Sequence, residues 1–206
     1  MAGSIWEQFL TGLRHTTPLE FIGTMAGIGS VWFSRKENIL VYPVGLVNTL
    51  IYTWLSIKGH LYGEASVNIY YTVVSIYGWM LWARRGENNE HQLKISASNR
   101  KDWLQQLLFF FVFYGVLFFC LRWLKTAFAP EAIPWADALA SASAYTGMWL
   151  MARKKIESWY WWIITNLASI PLYFVKGYVF TSFQFAVLLV LAVAGLLTWI
   201  KKYKEQ

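Results

Sequence analysis

The chain has 206 residues, 57% of them hydrophobic and only 14% charged, with 13 Trp, 12 Tyr and 14 Phe, and that balance excludes a water-soluble globular domain. The formal charge of +7 does not signal nucleic acid, because the 18 Lys and Arg fall almost entirely between apolar stretches, where they set topology. A single cysteine, Cys120, lies in an apolar run, so no intrachain disulfide can form.

Residues 1–17 lack the basic region, long apolar core and cleavage site of a signal peptide and read as an amphipathic lead-in. Seven stretches then have the length and apolarity to cross a bilayer as helices: 18–34, 39–57, 65–83, 104–123, 135–152, 158–175 and 182–200. The polar run 84–103 separates the third span from the fourth, and the chain closes on a basic tail, 201–206. Thirteen of the basic residues lie on one side of such a bundle (Arg35, Lys36, Arg84, Arg85, Lys94, Arg100, Lys101, Arg153, Lys154, Lys155, Lys201, Lys202, Lys204) and five on the other. The richer side is expected to be cytoplasmic, which puts the N-terminus outside and the C-terminus inside.

Sliding the chain by 118 residues pairs Ala26 with Ala144, Gly29 with Gly147, Arg35 with Arg153, Lys36 with Lys154, Asn48 with Asn166, Lys58 with Lys176 and Gly59 with Gly177. An offset of 117 continues the match with Glu20 on Asp137, Gly78 on Gly195 and Trp82 on Trp199. The fold expected is therefore an all-α integral membrane protein of seven transmembrane helices. Residues 18–83 and 134–200 form two parallel three-helix repeats, joined by a linker helix and loop over 104–133.

The segment 156–178 is organised around Asn166, with Trp159 and Trp162 seven and four positions before it, spacings that put all three on roughly one helix face. A carboxamide in hydrocarbon needs a partner, so Asn166 and its repeat mate Asn48 are expected to face a solute; the alternative is that they only tie helices together. The third span adds Asn68, Tyr71, Thr72, Ser75 and Trp79, spaced at three and four to form one polar and aromatic stripe, although Trp79 also suits an interfacial belt. Pro43 and Pro171 are expected to free carbonyls near the depth of the two asparagines, and Gly23 and Gly27 to allow close helix packing.

His15, His60 and His91 all lie outside the apolar stretches, so haem, zinc and Ser-His chemistry lack their groups and an embedded enzyme is disfavoured. No metal or cofactor is called for. Glu20, Glu64, Asp137 and Glu157 fall at helix ends, where pairing with Lys and Arg is expected, and no acid stands at mid-depth to carry a proton. Passive movement of a flat cationic heteroaromatic solute fits Trp and Tyr faces beside amides.

G-T-M-A-G (Gly23 to Gly27), V-G-L-V-N (Val44 to Asn48), I-Y-G-W-x-x-W (Ile76 to Trp82) and R-K-x-x-E-x-W-x-x-W-x-x-x-N (Arg153 to Asn166) together resemble the PnuC family of bacterial vitamin transporters. The resemblance implies an inner-membrane homo-oligomer, a trimer, that takes up nicotinamide riboside by facilitated diffusion, followed by trapping through cytoplasmic phosphorylation. It implies that Trp159, Trp162 and Asn166 line the solute site; for gating, the sequence offers Tyr71, Tyr145 or Tyr173. Asn68 stands where the nicotinamide riboside transporters of the family usually have glutamine, and Ser75 where asparagine is common. Members of the family also carry thiamine or riboflavin, and thiamine, another cationic heteroaromatic, is the second expected solute. A non-transporting scaffold or simple pore is the remote alternative.

Overall fold

The structure, a computed structural model, describes residues 5–58, 62–85, 92–127 and 133–206. His60, His91, Gly59 and the side chains of His15 and Glu64 lie outside what is described. The described residues form eight helices: α1 (Ile5–His15), α2 (Pro18–Arg35), α3 (Val41–Lys58), α4 (Tyr62–Ala83), α5 (Arg100–Ala127), α6 (Pro134–Ala152), α7 (Ser158–Val175) and α8 (Val179–Lys204). Their dimensions follow the apolar stretches, with two differences. The lead-in is itself helical and packs on α8, and α8 runs through Lys204, so the basic tail is its last turn.

Local chemistry explains the helix boundaries. Thr17 and Glu20 make a capping box at the start of α2: the Glu20 backbone N–H donates to Thr17 Oγ1 at 3.3 Å and the Thr17 N–H to Glu20 Oε2 at 2.7 Å. Glu20 is thus a cap rather than a partner for Lys or Arg. Gly177 ends α7 in the left-handed region at φ 82°, a conformation glycine takes at little cost, and the Tyr178 N–H then reaches back to the Tyr173 carbonyl. Pro43 lies in the first turn of α3, where its missing N–H would have been unpaired anyway, while Pro171 lies near the far end of α7. The two prolines therefore occupy opposite ends of their helices, which corrects the expectation of a common depth.

Helices α2, α3 and α4 pack in sequence, as do α6, α7 and α8; α2 meets α8 and α4 meets α6, which closes the bundle. Helix α5 packs on α6 and leaves one side bare, with Leu104, Leu108, Phe111 and Phe119 exposed. Helices α5 and α8 have mean hydropathies of 2.2 and 2.3 and are long and apolar enough to cross a membrane by themselves. Residue pairs 117 or 118 apart occupy matching settings. Tyr42 seats its ring on Gly78 and Trp159 seats its ring on Gly195, so each aromatic of α3 or α7 is packed against a glycine of α4 or α8.

The polar run after α4 is only partly a loop. Its segment 92–99 lies across the α6–α7 turn: Ser96 N–H donates to Lys154 O at 3.0 Å, Ile156 N–H donates to Ser96 O at 3.1 Å, and Ile95 is buried in the core. Glu157 accepts from both the backbone N–H and the hydroxyl of Ser98, at 2.8 and 2.7 Å, so it too is held by a group other than Lys or Arg. Asp137 behaves as expected of a helix-end carboxylate, paired with Lys176 at 2.6 Å.

Candidate functional site

The site is built where α4, α6 and α7 converge. Tyr71 on α4 lies edge-on to Tyr145 of α6, ring centroids 6.1 Å apart, and 6.5 Å from Trp162 of α7. Tyr70 packs on Tyr145 at 4.4 Å and donates its hydroxyl to the Tyr145 carbonyl at 3.1 Å, which fixes α4 against α6. Phe113 of α5 closes the cluster at 5.4 Å from Tyr145. Trp162 can lie flat on α6 because position 147 is glycine: a Cβ there would stand 3.3 Å from the indole Cε2 and Nε1.

Asn166 lies one turn beyond Trp162 on α7 and is only 3% exposed, yet no described residue hydrogen-bonds its carboxamide. A primary amide carries two donors and two lone pairs, and those of Asn166 are unused without being sealed off, for its polar atoms are not among the fully buried unpaired ones, which are Tyr42 Oη, Gln106 Nε2, Ser143 Oγ and Trp159 Nε1. Elsewhere on α7, Thr165 Oγ1 donates to Trp161 O at 2.9 Å and the Trp161 indole to Gln106 Oε1 at 2.8 Å, whereas the Trp159 indole N–H is buried without a partner. The unpaired carboxamide beside aromatic rings is what a site for a flat polar solute requires.

The remaining expected residues separate into three groups. Ser75 is buried on the same stripe of α4, Asn68 is half-buried one turn before Thr72, and Tyr173 stacks on Phe185 at 5.1 Å. Trp159 is not at the cluster. It is 1% exposed in the core between α7 and α8, edge-on to Trp199 at 5.5 Å with Gly195 beneath its ring. Asn48 and Trp79 are also elsewhere: the Asn48 amide donates to Gly23 O of α2 at 2.7 Å, and Trp79 is 39% exposed on the outer side of α4.

Sequence reasoning missed Tyr70, Phe113 and the threonine contacts that support α4, namely Thr72 Oγ1 to Thr49 Oγ1 at 2.9 Å and Thr24 Oγ1 to Tyr52 Oη at 2.8 Å. Phe113 was hidden because α5 reads as uniformly lipid-facing. Thr49, the neighbour of Asn48 in a conspicuous motif, was a signal within reach. Two cavities lie away from Asn166: an apolar groove of about 360 Å³ between α5 and Trp149, and a polar cavity of about 490 Å³ at the basic end, lined by Glu37, Asn38, Ile39, Trp82, Ala83, Arg85 and Lys154. The assignment rests on the unpaired amide rather than on the size of a cavity. Among the described residues no three His, Cys, Asp or Glu side chains converge as a metal site would need.

Known proteins place this geometry. The nicotinamide riboside transporter PnuC of Escherichia coli is 26% identical over 208 residues, covering 91% of this chain and 87% of that protein. The namesake of Neisseria mucosa is 27% identical over 198 residues (91% and 73%). The riboflavin/roseoflavin transporter RibM of Streptomyces davaonensis is 24% identical over 194 residues (94% and 89%). The crystal structure of the vitamin B3 transporter PnuC superposes with a TM-score of 0.73 at 23% identity, covering 98% of this chain and 88% of that one, so the two share a fold. The family described as nicotinamide mononucleotide transporter matches residues 17–201. That match spans nearly the whole chain, and the protein belongs to this family of membrane transporters, which are not enzymes.

Proposed function

We propose that this protein imports nicotinamide riboside across the bacterial inner membrane by facilitated diffusion, with cytoplasmic phosphorylation trapping the solute afterwards. The observation that carries the reading is Asn166, 3% exposed and with no hydrogen bond among the described residues, one helical turn from Trp162, whose ring lies 6.5 Å from that of Tyr71, itself edge-on to Tyr145. Those rings suit a pyridinium face and the amide suits a carboxamide or hydroxyl edge. The two curated relatives named for nicotinamide riboside support the same substrate. The mononucleotide in the family's description fits less well. Its phosphate would need Lys or Arg at mid-depth, and α3, α4, α6 and α7 carry their basic residues only at their ends.

The arrangement we propose is two parallel three-helix repeats, α2–α4 and α6–α8, with α5 as linker, three copies of the chain in the membrane, the N-terminus outside and the basic end cytoplasmic. Matched packing of Tyr42 on Gly78 and Trp159 on Gly195 supports the repeats, and the thirteen-to-five split of basic residues supports the orientation. A flat vitamin of another kind is the second reading, favoured by the riboflavin-transporting relative and by Asn68 and Ser75 on α4.

The test is thermal stabilisation of the purified protein by nicotinamide riboside, riboflavin and thiamine in turn, followed by uptake into proteoliposomes. A ligand at 100 times its dissociation constant stabilises by about 2.7 kcal/mol. A shift and saturable uptake with nicotinamide riboside alone are expected. A shift with riboflavin or thiamine instead reassigns the solute, and no saturable uptake of any of the three overturns the reading.

A further inference from the structure

At the basic end, residues that are equivalents in the two repeats touch each other. Ser34 Oγ donates to Met151 Sδ at 2.9 Å, and Lys154 Nζ pairs with Glu37 Oε1 at 2.7 Å; both pairs are 117 residues apart, the offset at which the bonds of the two turns match, one residue off the 118 that aligns Arg35 with Arg153 and Lys36 with Lys154 in the sequence. A two-fold operation carries each residue onto its equivalent, so a contact between equivalents lies on the axis itself. Around it, one pair of contacts is reciprocal to within one residue. The Trp82 indole donates to Ala152 O at 3.2 Å and the Trp199 indole to Ser34 O at 3.0 Å, each running from the end of one repeat to a helix end of the other; the equivalent of Ala152 at this offset is Arg35, the neighbour of Ser34.

The backbone of the axial ion pair is unusual in the same way on both sides. Glu37 and Lys154 are the two non-glycine residues with positive φ among the described residues, at 60° and 52°. Each caps a helix with matching bonds, Asn38 N–H to Phe33 O at 2.9 Å and Lys155 N–H to Leu150 O at 3.0 Å. Helices that end this way ordinarily use glycine. Here a position open to glycine carries opposite charges that meet across the axis, and a strained conformation retained at such a point marks a functional constraint.

We propose that the basic end is the closed gate of the transport path, shut on the axis by Ser34 against Met151 and by Glu37 against Lys154. The polar cavity of about 490 Å³ beside Glu37, Trp82 and Lys154 is then the vestibule on its far side. The proposal rests on the transport reading and the two-repeat arrangement above. A solute moving along the axis must part both pairs. The Lys154 ammonium lies 4.6 Å from the centre of the Trp82 ring as well as against Glu37, so it occupies a carboxylate and an aromatic face that also attract an organic cation. Passage of a cationic solute exchanges one cation for another at that point. Lys202 adds a second ammonium on Glu37 Oε2 at 3.0 Å. At the opposite end the Asp137–Lys176 pair stays within one repeat and ties nothing across the axis.

The test introduces Ser34→Cys and Met151→Cys in a Cys120→Ser background, reconstitutes the full chain in proteoliposomes and oxidises it. Near-complete crosslinking is expected, with uptake of nicotinamide riboside falling at least tenfold and returning within twofold on reduction. Thermal stabilisation by the solute should survive crosslinking, because the mid-depth site is reached from the other end. A folded protein that does not crosslink, or a crosslinked one that still transports, overturns the gate. Absence of uptake in the Cys120→Ser parent overturns the transport reading and the gate with it. If the thiol pair is itself inactive when reduced, Lys154→Met decides. The thiol of Ser34→Cys should react at least tenfold faster with an impermeant maleimide added at the basic side, and an unchanged rate overturns the proposal.

Discussion

Asn48 and Asn166 stand 118 residues apart at equivalent places in α3 and α7, and they have opposite fates. Asn48 gives its amide N–H to Gly23 O across a tight α2–α3 contact, where a Cβ on Gly27 would come within 2.9 Å of the same nitrogen. Asn166 is more deeply buried and meets no hydrogen-bonding group among the described residues. In the two repeats we propose, one asparagine is thus used for packing and the other makes no such bond. For Asn48 the partner comes from the neighbouring helix, where α2 offers the carbonyl of Gly23.

The comparison is sharpest under the same substitution at both positions. Asn166→Leu should abolish stabilisation by nicotinamide riboside, a loss of at least a hundredfold in affinity, while leaving yield and the ligand-free melting temperature unchanged or slightly raised, since an unpaired buried amide is removed. Asn48→Leu should do the reverse: binding persists and the fold loses about 1–2 kcal/mol. Thermal melts of the two variants with and without solute read both effects. Equal loss of binding in the two would return Asn48 to the solute site.

A second contrast separates the two tryptophans of the α7 motif. Trp159→Ala empties a fully enclosed core position and should cost about 3–5 kcal/mol, enough to lower the yield of folded protein. Trp162→Ala removes a half-buried ring facing Tyr71 and should weaken binding about tenfold at much smaller cost to stability. Chromatographic monodispersity and solute titration distinguish the two results.

These contrasts show what was legible in the chain alone. Helix positions follow from apolar length, and the repeat emerges from Arg35 with Arg153, Asn48 with Asn166 and Trp82 with Trp199, because identical residues at a fixed offset need no knowledge of packing. Of the expected site residues, Trp162, Tyr71 and Tyr145 form one ring cluster, with Asn166 one helical turn from Trp162. The place of Trp159 was not legible, since helical spacing puts residues three and four apart on a common face but says nothing of which neighbour that face meets. Gly195 decides it, by letting α8 approach the Trp159 ring. Trp79 lies on the same stripe by spacing, yet its side chain is 39% exposed, the setting that also suits an interfacial belt residue.

Gly195 and Gly78 test that account at smaller magnitude. A Cβ at Gly195 would overlap the Trp159 ring and one at Gly78 would overlap the Tyr42 ring and hydroxyl, so Gly195→Ala and Gly78→Ala should each cost roughly 1–3 kcal/mol. If the repeats are packed alike, the two losses should agree within about 1 kcal/mol, whereas Gly115→Ala, on a position with nothing near it, should be neutral or mildly stabilising. Urea or thermal unfolding in detergent gives all three values. A loss confined to one glycine would mean that only one repeat uses the aromatic seat.

The smallest expected effect concerns the charges at the basic end. Burial alone would raise the Glu37 carboxyl above the ordinary 4.5, but hydrogen bonds and charge from Lys154 and Lys202 outweigh it and hold the group lower. A carboxyl whose folded value lies below its unfolded value stabilises the fold fully above about pH 4.5 and loses that contribution as pH falls through the lowered folded value. The melting temperature should therefore be flat from pH 7 to about 5 as far as Glu37 is concerned and decline below 4.5. Glu37→Gln should lower the melting temperature at pH 7 and flatten the acid decline, so that the two proteins converge once the pH is below the lowered value of Glu37. If both decline in parallel, the acid sensitivity belongs to other carboxylates, and Glu37 is held by packing rather than by the ammonium groups that face it.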